Sequence, residues 1–200
     1  MAGLLFNSTN AVVRRGMRIV AGQYGGRVLR APSGTATRPT SERVRQAIFN
    51  VLGEPPANCH VLDLFAGSGA MGIEALSRGA VHATFVDSGR PALQTLRSNL
   101  DSLRIDATTV TVRPIDAVRA VTERPPSPWH WVFIDPPYRT GLATETALAL
   151  PVASLAPDAT VIIEHDRRNS PTPTLGALTL ADQRKYGDTV VSYYRLQEPA

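Results

Sequence analysis

Apolar and polar residues alternate along this chain on two different periods, and the two periods change places in a regular order. The run Val61-Leu62-Asp63-Leu64 is nearly continuous in apolar character, as a strand buried on both faces is. It breaks into a glycine-rich turn, Gly67-Ser68-Gly69, before Ile73, Leu76 and nearby alanines resume at helical spacing toward Gly79. Residues 83–87 predict a second strand, and residues 91–103 a helix with Leu93, Leu96, Leu100 and Leu103 on one face. Residues 108–115 predict a third strand, and Trp129-His130-Trp131-Val132-Phe133-Ile134 a fourth after a proline-rich loop at 125–128. Residues 144–150 read as helix, 160–164 as a fifth strand, and 178–196 as a closing strand pair that turns at Tyr186-Gly187-Asp188-Thr189. Strands alternating with helices predict an α/β fold: a mostly parallel, seven-stranded sheet covered on both faces, with an antiparallel hairpin at one edge.

The N-terminal quarter follows a different pattern. Residues 18–30 hold two β-prone runs around Gly22, Gly25 and Gly26, which predicts a small hairpin with its arginines along an exposed ribbon. A polar loop fills 32–39, after which Thr40 or Ser41 can cap a helix that Glu42 opens with a favourable charge. Val44, Ile48, Val51 and Leu52 recur at helical spacing up to Gly53, leaving Arg43 and Arg45 to point elsewhere. Residues 1–16 have the character of neither a signal peptide nor a membrane span, because the apolar patch Leu4-Leu5-Phe6 is short and arginines follow it. A disordered extension (1–16), a basic hairpin-and-helix section (17–55) and an α/β domain (56–200) are therefore expected.

Candidate chemistry gathers at the predicted strand ends. Gly67, Gly69 and Gly72 fit a dinucleotide-binding loop, with Asp87 following where a ribose-binding acid belongs. Asp63 argues for a different ligand, since a carboxylate beside the loop opposes a pyrophosphate and suits an ammonium group such as that of S-adenosylmethionine. Asp63, Asp87 and Asp116 follow three successive strands and would form one polar rim, although Asp116 alone could equally cap a helix. The fourth strand runs into Asp135-Pro136-Pro137-Tyr138. Two prolines donate no amide hydrogens, so carbonyls there are left as acceptors, Asp135 adds a charged one, and Tyr138 offers a ring for stacking a planar base. That set fits an incoming amino group.

Charge sharpens this picture. Residues 1–45 carry eight arginines against Glu42 alone, while the whole chain is only +4, so a basic arm precedes a mildly acidic body. Lys185 is the single lysine, and arginine is the better fork for phosphate and the better stacker on bases. A polyanion partner follows, with Arg18, Arg27, Arg30, Arg38, Arg43 and Arg45 as its candidate contacts and Arg139 as the next place to look. Cys59 is the sole cysteine, so no internal disulfide can form and a cytoplasmic setting is expected. His60, His82, His130 and His165 are scattered without ligand spacing, so no metal is expected.

Together, Arg18-Ile19-Val20-Ala21-Gly22, Arg38-Pro39-Thr40, Arg43-Val44-Arg45, Phe49-Asn50, residues 63–72, Glu74-Ala75-Leu76-Ser77-Arg78-Gly79, residues 135–138 and Tyr186-Gly187-Asp188-Thr189 carry a resemblance over residues 17–196. The chain resembles the class I S-adenosylmethionine-dependent methyltransferases with their Rossmann-like fold, and among them the bacterial RsmD-type small-subunit rRNA guanine-N2 methyltransferases. The resemblance implies that Asp63, Ala66, Gly67 and Gly69 surround the methionine part of the cofactor, with Thr40, Phe65 and Ser68 also among the cofactor-binding residues. It places Asp87 and Ser88 at the ribose and Asp116 at the adenine edge. Asp135, Pro136, Pro137 and Tyr138 would hold the target guanine for catalysis. An acid at 87 or 88 varies in such proteins, and position 88 is Ser here. The implied partner is 16S rRNA within a small-subunit particle, met by a monomer with no membrane association. An amine-directed DNA methyltransferase shares the 135–138 motif, a nicotinamide-dependent oxidoreductase shares only the glycine loop, and a non-catalytic RNA-binding module remains a third alternative.

Overall fold

The computed structural model describes residues 17–32, 41–137 and 141–197. The expected disorder of 1–16 and the candidate residues Arg38, Thr40, Tyr138 and Arg139 lie outside them. Ten strands and five α-helices follow in the order β1 (Met17–Arg18), β2 (Val28–Leu29), α1 (Glu42–Leu52), β3 (His60–Leu64), α2 (Ala70–Ser77), β4 (His82–Val86), α3 (Arg90–Leu103), β5 (Val110–Arg113), α4 (Ala117–Thr122), β6 (Trp129–Ile134), α5 (Leu142–Ala149), β7 (Leu155–Asp166), β8 (Thr174–Leu175), β9 (Leu178–Tyr186) and β10 (Thr189–Leu196).

The main sheet runs β5-β4-β3-β6-β7-β10-β9-β8. Its first five members are parallel, and β10, β9 and β8 continue it antiparallel. The two-residue β8 extends the expected seven strands to eight. Each face carries its own core. One joins Val61, Ile73, Phe85, Phe133 and Tyr193 to residues of the N-terminal section, and the other joins Leu62, Leu64, Val132, Ile134 and Tyr194 under α4 and α5. Successive residues of β3 thus serve opposite cores, which is why its sequence is apolar without alternation.

Three elements differ from the sequence pattern. The expected strand at 108–115 shrinks to β5, because Asp106 accepts from Thr108 N and winds residues 107–109 into a 3-10 turn. Helix α4 is too short for a clear period, and its cap is the carboxylate of Asp116. The fifth strand is twelve residues long rather than five, since β10 pairs with it from Thr160 to Asp166.

A buried carboxylate is a central fastening of the N-terminal section to the body. Glu74, on α2 and fully buried, accepts from Val20 N at 2.7 Å and Ala21 N at 3.0 Å. It also accepts from Arg78 Nε at 2.8 Å and lies 3.4 Å from Arg45 Nε. Arg45 further donates to the Arg18 carbonyl. This corrects the reading of Arg45 as an RNA contact: it is fully buried, on the same helix face as Ile48 and Phe49, and its charge is spent on Glu74. Burial pulls its pKa below the ordinary value, and Glu74 opposes part of that.

Stripping one partner from a buried ion pair leaves the other charge uncompensated, at a cost of about 3–5 kcal/mol. Glu74→Ala should therefore lose about that much in urea unfolding, because two backbone amides and Arg45 lose their acceptor together. Glu123→Ala, which breaks the exposed Arg113–Glu123 pair, should cost under about 1 kcal/mol. Equal losses for the two variants would refute the anchoring role.

Candidate active site

The site forms where β3 ends. Phe65 and Gly67 take positive φ angles of 60° and 55°, and Gly69, at 81°, opens α2. The parallel register sets Leu64 beside both Val86 of β4 and Ile134 of β6, so whatever follows these strands meets at one edge. A cavity of about 430 Å³ lies there. Its wall includes Asp63, Phe65, Ala66, Gly67 and Ser68 from the first strand and loop, Asp87 and Ser88 after β4, and Asp116 after β5. Asp135, Pro136 and Pro137 after β6 complete that edge. The structure thus brings together every described residue expected at the cofactor or the target base except Gly69. That glycine lies beneath the cavity, where an added Cβ would meet Leu96 Cδ1 at 2.3 Å.

The loop amides do not stand free, as the glycine pattern alone suggests. Gly67 N donates to Asp87 Oδ2 at 2.8 Å, and Gly72 N donates to Asp63 Oδ2 at 2.9 Å. Asp87 Oδ1 also accepts from Gly89 N at 2.7 Å. Two donors that a pyrophosphate would use are already satisfied by carboxylates whose charge repels it. Asp63 is 3% exposed, and burial, with the nearby Asp87 charge, pushes its carboxyl up to about 7 despite the Gly72 hydrogen bond. Asp116 fulfils both readings: it lines the cavity, and its Oδ1 accepts from Val118 N and Arg119 N as the cap of α4.

The expected RNA contacts separate. Arg18, Arg27, Arg30 and Arg43 are exposed, whereas Arg45 is the buried partner of Glu74. His60, His82 and His130 are not scattered in space, because adjacent parallel strands set them side by side at the opposite end of the sheet. Their ring centroids lie 5.7 and 6.5 Å apart in sequence along that edge. Among the described residues, no group of His, Cys, Asp or Glu could hold a metal ion.

Two features escape the sequence pattern. Met17 and Pro32, at the two ends of the N-terminal hairpin, form part of the cavity wall. Asn99 of α3, fully buried, accepts from Arg30 N at 2.9 Å and donates to Arg30 O at 3.0 Å and to Ser68 O at 2.9 Å. It therefore ties the hairpin to the glycine loop. Its signal was present, since a polar residue falls on the apolar stripe of Leu96, Leu100 and Leu103. Asn99→Leu would fill the same space but leave the buried Ser68 carbonyl unpaired, worth about 1–3 kcal/mol, and free two partly buried backbone groups of Arg30 to turn to water. Amide exchange should then quicken in the hairpin and at Ser68, and unchanged protection would refute the tie.

The family model described as "Conserved hypothetical protein 95" matches residues 17–195. "Putative rRNA methyltransferase YlbH" of Bacillus subtilis is 39% identical over 182 residues, covering 90% of this chain and 98% of that protein. "Ribosomal RNA small subunit methyltransferase D" of Escherichia coli strain K12 is 37% identical over 183 residues, covering 91% of this chain and 89% of its own. Among solved structures, "Putative methyltransferase yhhF from Escherichia coli" superposes with a TM-score of 0.77 at 36% identity, over 90% of this chain and 98% of that one. The putative methylase HI0767 of Haemophilus influenzae gives 0.75 at 28% identity, over 91% and 99%. The chain belongs to the Conserved hypothetical protein 95 family, that is, the RsmD family, and has its Rossmann-like methyltransferase fold.

Proposed function

We propose that the protein transfers the methyl group of S-adenosylmethionine to the exocyclic N2 amine of a guanosine in small-subunit rRNA. The observation that carries this reading is the pairing, across one cavity, of the buried Asp63 with the Asp135-Pro136-Pro137 segment. The names of the relatives, an rRNA methyltransferase and a small-subunit rRNA methyltransferase, support the substrate class. Against a nicotinamide cofactor stand the two loop amides already taken by carboxylates.

The cavity suits that cofactor in its donor set: a buried carboxylate for the ammonium, Asp87 and Ser88 for ribose hydroxyls, and Asp116 for the adenine amine. When bound, the cofactor supplies a methyl group already activated on a sulfonium. The protein's work is then positional. Pro136 is buried, and neither it nor Pro137 has an amide hydrogen to compete for nearby carbonyls. The Asp135 carboxylate and the Pro136 carbonyl would accept the two amine hydrogens, orient the nitrogen and offset the positive charge that develops on it. The proton leaves after transfer, so no strong base is required. The base must be unstacked to enter, and we assign the exposed arginines of the N-terminal section to the RNA backbone, leaving methyl transfer to residues 56–197. No helix among the described residues is long and apolar enough to cross a membrane. We take the working form to be a cytoplasmic monomer acting on a small-subunit particle.

Asp135→Ala should lower methyl transfer by about a hundredfold or more while S-adenosylhomocysteine still binds, as for other preorganised polar groups in a transition state. Normal turnover in a filter assay with labelled cofactor would remove Asp135 from its role. The Asp63 carboxyl, raised to about 7, is mostly protonated below that pH and must ionise to meet an ammonium. Binding therefore releases a proton, and affinity falls as the pH drops. Calorimetry with S-adenosylhomocysteine should show binding about fivefold weaker at pH 6 than at pH 7, a range in which its α-amino group stays charged. Asp63→Asn should bind weakly at both; a wild-type affinity that is flat with pH would contradict the assignment.

A further inference from the structure

The hairpin does not project alone. Arg27 Nη2 donates to Ser102 O at 3.0 Å, and Arg30 Nη1 donates to Ser98 Oγ at 3.1 Å, so both guanidinium groups are laid against α3. Arg90 and Arg97 on that helix, and Arg104, its left-handed C-cap residue just past Leu103, recur every seven residues and are exposed, with Gln94 and Asp101 between them. Seven residues are close to two helical turns, so Arg90 and Arg97 stand about 10 Å apart along the outer face, and Arg104 follows at the C-terminal end of the helix. Asn99, on the inner face, holds the hairpin beside that line through Arg30.

Five arginines thus lie on α3, at its end or against it, and Asp101 is the one acid in the sequence between Arg90 and Arg104. None of the five is in an ion pair among the described residues, whereas Arg45, Arg78, Arg113 and Arg184 each have a carboxylate partner. The surface also has a direction. Ser88, Gly89, Pro91 and Ala92, around the start of α3, line the cofactor cavity, so the arginine line begins at the mouth of the site and leads away from it.

We infer that α3 and the hairpin together form the docking track for the rRNA backbone, with Arg90, Arg97 and Arg104 contacting phosphates beside Arg27 and Arg30. This rests on the proposed rRNA methyltransferase function and extends its docking surface from the N-terminal section to the body. A chain of phosphates is the occupant that this charge selects: unpaired arginines in a line match a repeating anion, and each is a fork for one phosphate. A target base turned into the cavity would leave its flanking backbone on the track.

The test uses the full chain carrying Arg90→Gln, Arg97→Gln and Arg104→Gln together, titrated with deproteinised small-subunit rRNA at several salt concentrations. The salt slope of log affinity should fall by about two to three, and affinity near 0.15 M salt should fall at least about tenfold. Affinity for S-adenosylhomocysteine and the thermal midpoint should stay at wild-type values, which separates a lost contact from a lost fold. The variant Arg119→Gln with Arg124→Gln, on and just after α4, should change rRNA binding far less. A triple variant with wild-type slope and affinity, or a control that loses as much, would overturn the track and leave the rRNA reading standing. Loss confined to assembled particles would overturn it too, making the surface a site for a ribosomal protein. A wild-type protein that binds this rRNA without salt dependence would instead remove the reading beneath it.

Discussion

The Glu74 carboxylate is the constraint on which the rest of this structure depends. It sits on the first helix after the glycine loop, fully buried, and meets two backbone amides of the hairpin and two guanidinium groups. A carboxylate in the interior is costly unless its charge is compensated, and here three hydrogen bonds and the Arg45 guanidinium, 3.4 Å away, compensate it. Geometry follows from those contacts: the hairpin, α1 and α2 have one mutual arrangement. Because Met17 and Pro32 belong to the cavity wall, the shape of the site is set partly by a contact on the far side of α2. Tyr24 N donating to Ser77 Oγ and Gln23 N donating to Ser77 O repeat the attachment one turn later.

The glycine loop shows how a common sequence pattern acquires a particular ligand. Glycine at 69 and 72 is required by neighbours rather than by a cofactor, since a Cβ at Gly72 would meet the Phe85 ring at 2.4 Å. The loop can then lie close on the sheet, and two of its amides fall to the acids that end β3 and follow β4. What remains at the surface of the loop is negative rather than positive. A phosphate-binding loop keeps its amides unspent; this one spends them and presents carboxylates.

Much of this was legible in advance, for physical reasons that differ from element to element. Strands β3, β4 and β6 are buried on both faces, so their apolar runs had no competing reading, and the residues that follow them had to meet at one edge. Asp135, Pro136 and Pro137 could be placed beside Asp63 on that logic alone. Arg45 could not. Its helix was read from the period of Val44, Ile48, Val51 and Leu52, which assigns an arginine to solvent by default. Only the buried Glu74, 29 positions away, turns that face inward. The three histidines at the far end of the sheet were invisible for the same reason, since their proximity comes from strand register and not from spacing. Asn99 was legible in principle as a polar residue on an apolar stripe, but the backbone groups it serves are remote in sequence.

The opposed charges of cavity and surface support the proposal that a base, rather than the backbone that carries it, enters the site. Asp63, Asp87, Asp116 and Asp135 all line the cavity, whereas Arg27, Arg30, Arg90, Arg97 and Arg104 lie outside it. At a separation of about 8 Å and an effective dielectric near 20, each ionised acid repels a phosphate by roughly 2 kcal/mol. Even with Asp63 partly protonated, several such terms keep the polyanion at the rim while the arginines hold it there. A neutral base bearing an amino group feels the reverse, because the acceptors that repel phosphate complement its hydrogens. On the proposed track the backbone would be held on one surface, and a base, which carries an amino donor and no negative charge, would be a favourable entrant to the acidic cavity.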